Sequence, residues 1–415
     1  MIETITLPNG VRIVYERLSH VRSAAIGIWV ACGTRHEQRA TNGISHFIEH
    51  MVFKGTKTRT ARQIAEEMDE IGGAINAFTA MQCTCFYAQA LDTHILRAAD
   101  VLCDLYFDAA FRPEDIELER GVISEEINMY LDSPEDLVCD QMLEAVYSDT
   151  PLGRPILGTK ESISRIDQAA LCRFRTENYT ADATVISVSG SFDDSLINAL
   201  KARFSAMTAA AAPRSARAEY RRAVTCYSKE TEQNHLCLSF PACSYHSEKR
   251  YALQMLNSIL GGSMSSRLFQ RVREEAGLCY SISSFSSCYE DTGLFSIYTA
   301  LGRETERAAL QLIREELCRV KDGDVTEREL ARAREQHKAN LLMGMESTGK
   351  RMTHQAHCML RYNQLPDIDA LIAATDAVTC EDITALAQEL FRFQNASFSG
   401  VGTLQPKKYL WFFEE

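Results

Sequence analysis

His46-Phe47-Ile48-Glu49-His50 is the stretch on which the reading of this chain turns. On a helix, residues three and four apart share a face, so His46 and His50 project together with Glu49 beside them. Two neutral imidazoles can grip one cation. A carboxylate next to the open coordination position can take a proton from water, which is what metal-assisted hydrolysis needs. The expectation is a helix bearing a zinc site, with His46 and His50 as ligands and Glu49 as the base.

With 10 His in 415 residues, chance would produce H-x-x-E-H on the order of 0.03 times. The order reverses the commoner H-E-x-x-H and is that of the inverzincins. A catalytic zinc wants a third protein ligand. Phe111-Arg112-Pro113-Glu114-Asp115 has the form of a helix start, with Pro at the first turn and acids beside it. Ile116, Glu119, Ile123, Glu126 and Tyr130 then follow helical spacing, so two carboxylates share an otherwise apolar face. A buried carboxylate without a partner is costly, and this face therefore calls for a cation.

These motifs resemble the pitrilysin family of zinc metallopeptidases, and most closely its short two-domain branch, which includes mitochondrial processing peptidase and bacterial processing proteases. The likeness runs from Leu7-Pro8-Asn9-Gly10 to Ser397-Phe398-Ser399-Gly400. It implies Glu126, 76 positions after His50, as third zinc ligand, and Glu119, seven residues earlier, as its support. It implies one zinc per chain and hydrolysis of extended peptides. Asn76-Ala77-Phe78-Thr79 matches the family's edge strand, which takes substrate by strand addition, a mode in which main-chain pairing gives affinity with little sequence demand. Asn76 and Ala77 are the substrate-binding positions there. Phe53 matches an aromatic beside the residue after the cut, and Gln82 stands where a Glu is common.

In Arg273-Glu274-Glu275-Ala276-Gly277-Leu278-Cys279-Tyr280, the resemblance implies that Arg273 and Tyr280 hold the substrate backbone and steady the oxyanion, a task suited to a phenol donor. Asp136 and Asp140 match acids that bind an Arg two residues before the cut, and their spacing on a helix would aim both at one guanidinium. Because the chain holds both the zinc motif and the Arg/Tyr pair, the expected assembly is a homodimer, with a heterodimer of related chains as the alternative.

A chain of 415 residues holds about two domains. The fold class expected is α+β: two homologous domains, each a mostly antiparallel sheet against helices, related by duplication. The divisions are 1–206, an Ala-rich linker at 207–218, and 219–415. Thr60-Ala61-Arg62-Gln63 is a capping box opening a helix that stops at Gly72-Gly73. A strand-like run covers 74–90, and helices follow near 94–107 and through Glu119 and Glu126. The second half repeats this order, with helices ending at Gly261-Gly262 and running through 267–275, 304–320 and 326–342. On that register the His motif corresponds to the Gly261-Gly262 region and the Glu119/Glu126 helix to Ala333–Asn340.

A net charge of −12 argues against nucleic acid or anionic membrane as partner. No stretch has the length of a transmembrane helix, and Met1-Ile2-Glu3-Thr4-Ile5 lacks the pattern of a secretion signal. Fourteen scattered Cys, with Cys83 and Cys85 on one strand face, fit reduced thiols in a bacterial cytoplasm. Two other readings stay open: a noncatalytic scaffold relative, and a protease dedicated to one peptide encoded nearby.

Overall fold

The structure, a computed structural model, describes residues 2–148, 150–365 and 367–414. In chain order the first part comprises β1 (Ile2–Thr6), β2 (Arg12–Arg17), β3 (Ser23–Val30), α1 (Ile44–Val52), α2 (Ala61–Glu70), β4 (Ala74–Thr79) and β5 (Thr84–Leu91). Helices α3 (Ile95–Asp108), α4 (Pro113–Asp132), α5 (Pro134–Val146), α6 (Lys160–Ile163) and α7 (Gln168–Asn178) precede β6 (Thr184–Gly190) and α8 (Asp194–Ser205). The second part has β7 (Val224–Ser228), β8 (Asn234–Ala242), α9 (Lys249–Leu260), a π-helical segment Phe269–Glu275, β9 (Cys279–Cys288) and β10 (Gly293–Leu301). Then come α10 (Glu306–Lys321), α11 (Glu327–Gly344), α12 (Thr348–Tyr362), α13 (Ile368–Asp376), α14 (Cys380–Leu390) and β11 (Ser397–Gly402).

Local chemistry accounts for several of these boundaries. Thr60 accepts from the Gln63 N–H and Gln63 answers on the Thr60 N–H, closing the expected capping box at α2. Pro113 opens α4 with Glu114 and Asp115 in its first turn, where carboxylates favour the positive end of the helix dipole. The run 74–90 is two strands rather than one. The chain reverses over 80–83, and its Ala, Met, Gln and Cys carry none of the usual turn residues.

The first sheet has the order β1-β2-β6-β3-β5-β4, with β2 and β6 parallel and the other pairs antiparallel. The second has the order β7-β11-β8-β10-β9, with β7 and β11 parallel. Setting β1 aside, strand order and pairing sense agree position by position, as the expected duplication requires. In this match α1 corresponds to α9, so the counterpart of the His motif is the helix that ends at Gly261, not the glycine turn itself.

Two compact units result. One contains Met1–Asn128, Arg154–Ala216 and Leu342–Leu365; the other contains Met129–Gly153, Arg217–Leu341 and Pro366–Glu415. Neither is a continuous stretch. In the first unit, Ile26, Ile28, Phe86 and Ala88 face a core shared with α1, α3 and α4, while Trp29 and Cys85, one residue out of phase, face Met352, Ala356 and Met359 of α12. In the second unit, Leu238, Phe240, Phe295 and Ile297 pack with α9, α10 and α14, and α5 crosses the other face over β11 and β8. Each sheet is thus covered on one face by a helix from the opposite part of the sequence.

Candidate metal centre

Helix α1 is anchored at its start by a buried carboxylate. Glu37, 3% exposed, accepts from the backbone N–H of Gly43 at 2.7 Å and of Ser45 at 2.9 Å, and from Asn42 Nδ2 at 2.7 Å. These bonds satisfy N–H groups that a helix start leaves open. Burial pushes the Glu37 carboxyl up, and the same bonds work against that rise. Gly43 enters the helix at φ 93°, and a Cβ there would meet Leu157 O at 2.6 Å. Only glycine fits this entry.

From this anchored helix, His46 and His50 point at α4. His46 Nε2 lies 3.6 Å and His50 Nε2 3.4 Å from Oε2 of Glu126. These gaps exceed hydrogen-bond length. They match the separation of neighbouring ligands around a tetrahedral zinc, about 3.4 Å for bonds of about 2.1 Å. Among the described residues, these three form the one group of His, Cys, Asp or Glu whose ligand atoms converge in this way, all within 4.8 Å. Burial first, then the neighbouring His50, lowers the His46 pKa to about 4. The imidazole is therefore neutral at pH 7, as a ligand must be. His46 Nδ1 and Glu49 Oε2 are buried and make no hydrogen bond, so the site's polar groups are not satisfied by the protein alone. The donor set fits zinc.

Glu119, 2% exposed, faces Nδ1 of His50 at 3.5 Å and pairs with Lys54 Nζ at 2.5 Å. A carboxylate on Nδ1 leaves Nε2 for the cation. Burial raises the Glu49 pKa, neighbouring Glu126 adds to the rise, and Thr79 and His50 oppose it. Thr79 ends β4, the outermost strand, and so ties the site to the sheet edge. On that strand Asn76 is exposed and Ala77 buried, and Asn76 Oδ1 accepts the Ala77 N–H at 2.8 Å. Phe53 caps α1 and packs half-buried on the main core.

The remaining expected residues belong to the second unit. The Arg273 guanidinium carbon sits 4.5 Å from the Phe269 ring centroid and 5.0 Å from that of Tyr280, so two rings hold it. Tyr280 is 76% exposed. On α5, Ser133 Oγ donates to exposed Asp136 at 2.6 Å. Burial, Asp136 and Glu144 together push the half-buried Asp140 up to about 6. Two residues of the first unit were not anticipated. Lys54, four after His50, carried a spacing cue, whereas nothing local marks Glu37 as the anchor of α1.

Residues 12–160 match the description Insulinase (Peptidase family M16), and 165–337 match Peptidase M16 inactive domain. An uncharacterized zinc protease of Bacillus subtilis is 43% identical over 94% of this chain and 96% of its own length. The chain belongs to peptidase family M16. Another uncharacterized zinc protease, from Streptomyces coelicolor, is 37% identical over 98% of this chain and 91% of its own. A protease from Helicobacter pylori shares the fold at a TM-score of 0.91, with 19% identity over 97% of this chain and 99% of that one. The M16 relatives named here are bacterial, and no described helix is long and apolar enough to cross a membrane.

Proposed function

We propose that this M16 chain is a zinc-dependent endopeptidase acting on extended peptides or presequence-like segments. The observation that carries the reading is the convergence of His46, His50 and Glu126 beside an unsatisfied, buried Glu49 oxygen. Zinc, when bound, supplies Lewis acidity to the scissile carbonyl and acidity to the attacking water. His46, His50 and Glu126 would hold it, with Glu119 fixing the His50 ring. Glu49 accepts the proton from the water and returns it to the leaving amine, a double task helped by the raised pKa that burial gives its carboxyl. The exposed edge of β4 pairs with the peptide backbone through Asn76 and Ala77, and Phe53 lies against the residue after the cut. Glu49→Gln should keep zinc and lose peptide hydrolysis by about 10²–10⁴-fold. Wild-type turnover by purified Glu49→Gln sinks the mechanism.

Asp136 and Asp140 are proposed to select a basic residue ahead of the cut. The reading is supported by Asp140, whose carboxyl is raised by burial and by the neighbouring Asp136 and Glu144, a cluster of acids that a guanidinium would relieve. It fails if Asp136→Ala with Asp140→Ala leaves the Arg preference of a cleavage profile intact. We also propose a cytoplasmic homodimer in which Arg273 and Tyr280 of one chain serve the zinc of the other. Mixing inactive Glu49→Gln and Tyr280→Phe under subunit exchange should then restore part of the activity, because a mixed dimer has one intact site. No recovery despite exchange means that each chain builds its site alone.

A further inference from the structure

The first unit contains a cavity of about 420 Å³ on the sheet face that carries α12. Helix α12 packs mainly on β2, β6 and β3 and touches β5 only in part, at Cys85 and Gln89. The cavity lies beside this contact. Cys85, Tyr87 and Gln89, alternate residues of β5, contribute to its lining, as does Phe78 of β4. Gly349 and Lys350 line it from the first turn of α12. The Phe78 and Tyr87 rings lie 6.4 Å apart, centroid to centroid.

Register links the cavity to the edge of the sheet. Asn76 pairs with Tyr87, and Phe78 pairs with Cys85. A peptide added to β4 turns every second side chain onto this face. The residue paired with Asn76 would bring its Cβ within about 5 Å of the Asn76 Cβ. Only the short Asn76 side chain then stands between it and the Tyr87 ring. A long side chain passes over Asn76 into the cavity, and a short one does not reach. Phe78, Tyr87 and Met352 in the lining favour an apolar or aromatic group, Gln89, Ser347, Thr353 and His354 add polar groups that could meet a phenol hydroxyl, and Lys350 disfavours a cation. Gly349 lies against the Gln89 end, since a Cβ there would fall 2.3 Å from Gln89 Nε2 and push that side chain aside.

We infer that this cavity is a specificity pocket for a large apolar or aromatic side chain of the substrate, set back from the scissile bond along β4. The inference rests on the peptidase reading above. Thr79 lies beside Glu49, and Asn76 is three residues away along the strand, about 10 Å. The selected residue is therefore two to four positions from the cut.

The test is a set of peptides varied one position at a time, with kcat/KM measured on the zinc-loaded protein. Phe, Tyr or Leu should exceed Gly and Lys at least tenfold at one position within that window. In Gly349→Leu, which fills the cavity at the cost of moving the flexible Gln89 end, the ratio should fall below threefold. Tyr87→Ser should do the same, and unchanged zinc content in both variants reports that the fold is kept. Cleavage with a flat profile, or a preference that survives both variants, overturns the pocket while leaving the peptidase reading intact. Absence of any peptide cleavage by the wild type overturns both.

Discussion

In the first unit, α4 carries Glu119 and Glu126 at its seventh and fourteenth positions; in the second, α11 carries Ala333 and Asn340 at the same two. Where α1 bears His46 and His50, its counterpart α9 turns Leu253, Leu256 and Leu260 into the core. The second unit carries an ion-pair network elsewhere. Arg267 Nε meets Glu329 at 2.7 Å and Arg271 Nη2 meets Glu315 at 2.7 Å, with Glu316 shared between the two arginines. One unit leaves converging ligand atoms that do not bond one another, while this network of its duplicate closes its charges with guanidinium groups. Setting β1 aside, strand order is the same in both, so the candidate metal site is no part of what makes the fold. It is chemistry placed on one copy of a scaffold that stands without it.

The largest effect should come from the ligands themselves. His46→Ala or Glu126→Ala should take zinc from about one per chain to near none and reduce peptide hydrolysis by at least about a thousandfold. Asn340→Ala, at the matching place in the duplicate, should change neither. Metal analysis of the purified variants decides this, and equal zinc loss in both units would mean that the comparison misplaces the site.

Next comes a test of the second unit's charges. Arg267 is 10% and Glu316 2% exposed in its side chain. Arg267→Ala takes the guanidinium from Glu329, while Arg271 and Arg319 still hold Glu316, and should cost about 1.5–3 kcal/mol of stability. Glu119→Gln, in the first unit, should keep the fold and weaken zinc binding about 10–100-fold, since it acts on ring orientation. Denaturant melts and metal titrations separate the two. A destabilisation by Arg267→Ala under about 1 kcal/mol would place that network among surface ion pairs.

Much of this comparison was legible in the sequence where information is local. The H-x-x-E-H spacing, the Pro113 start and the Ile116–Glu126 stripe each place a side chain on a helix face without reference to the rest of the chain. The duplicated order of elements was legible for the same reason. The exchange of α5 and α12 was not. Periodicity shows that a helix has a face to bury, but both sheets offer similar apolar surfaces, and nothing in Leu137 and Val138, or in Met352 and Met359, says which one each helix covers. The turn at 80–83 was hidden because its residues have no turn chemistry. The role of Glu37 was hidden because two of its three partners are main-chain N–H groups, which carry no sequence signal.

The smallest expected effect is in acid stability, where the units should respond in different pH windows. His36 is held neutral: burial lowers its pKa to about 4, and its Nδ1 accepts the Gly33 N–H at 3.2 Å. An unfolded His titrates near about 6.5, so the unfolded chain binds this proton first as pH falls. The contribution of neutral His36 is complete above that pH and is lost between about 6.5 and about 4. In the second unit, burial alone would raise Glu329, but Arg267 and Thr326 outweigh it and hold the carboxyl at about 2. Its contribution is complete above the unfolded value of about 4.3 and is lost as pH falls toward about 2. Melting temperature followed against pH should therefore lose a step above pH 4 in His36→Asn and a step below pH 4.3 in Glu329→Gln. If both variants flattened the same window, the two half-buried groups would not be titrating independently, and the contrast between the units would lose its electrostatic half.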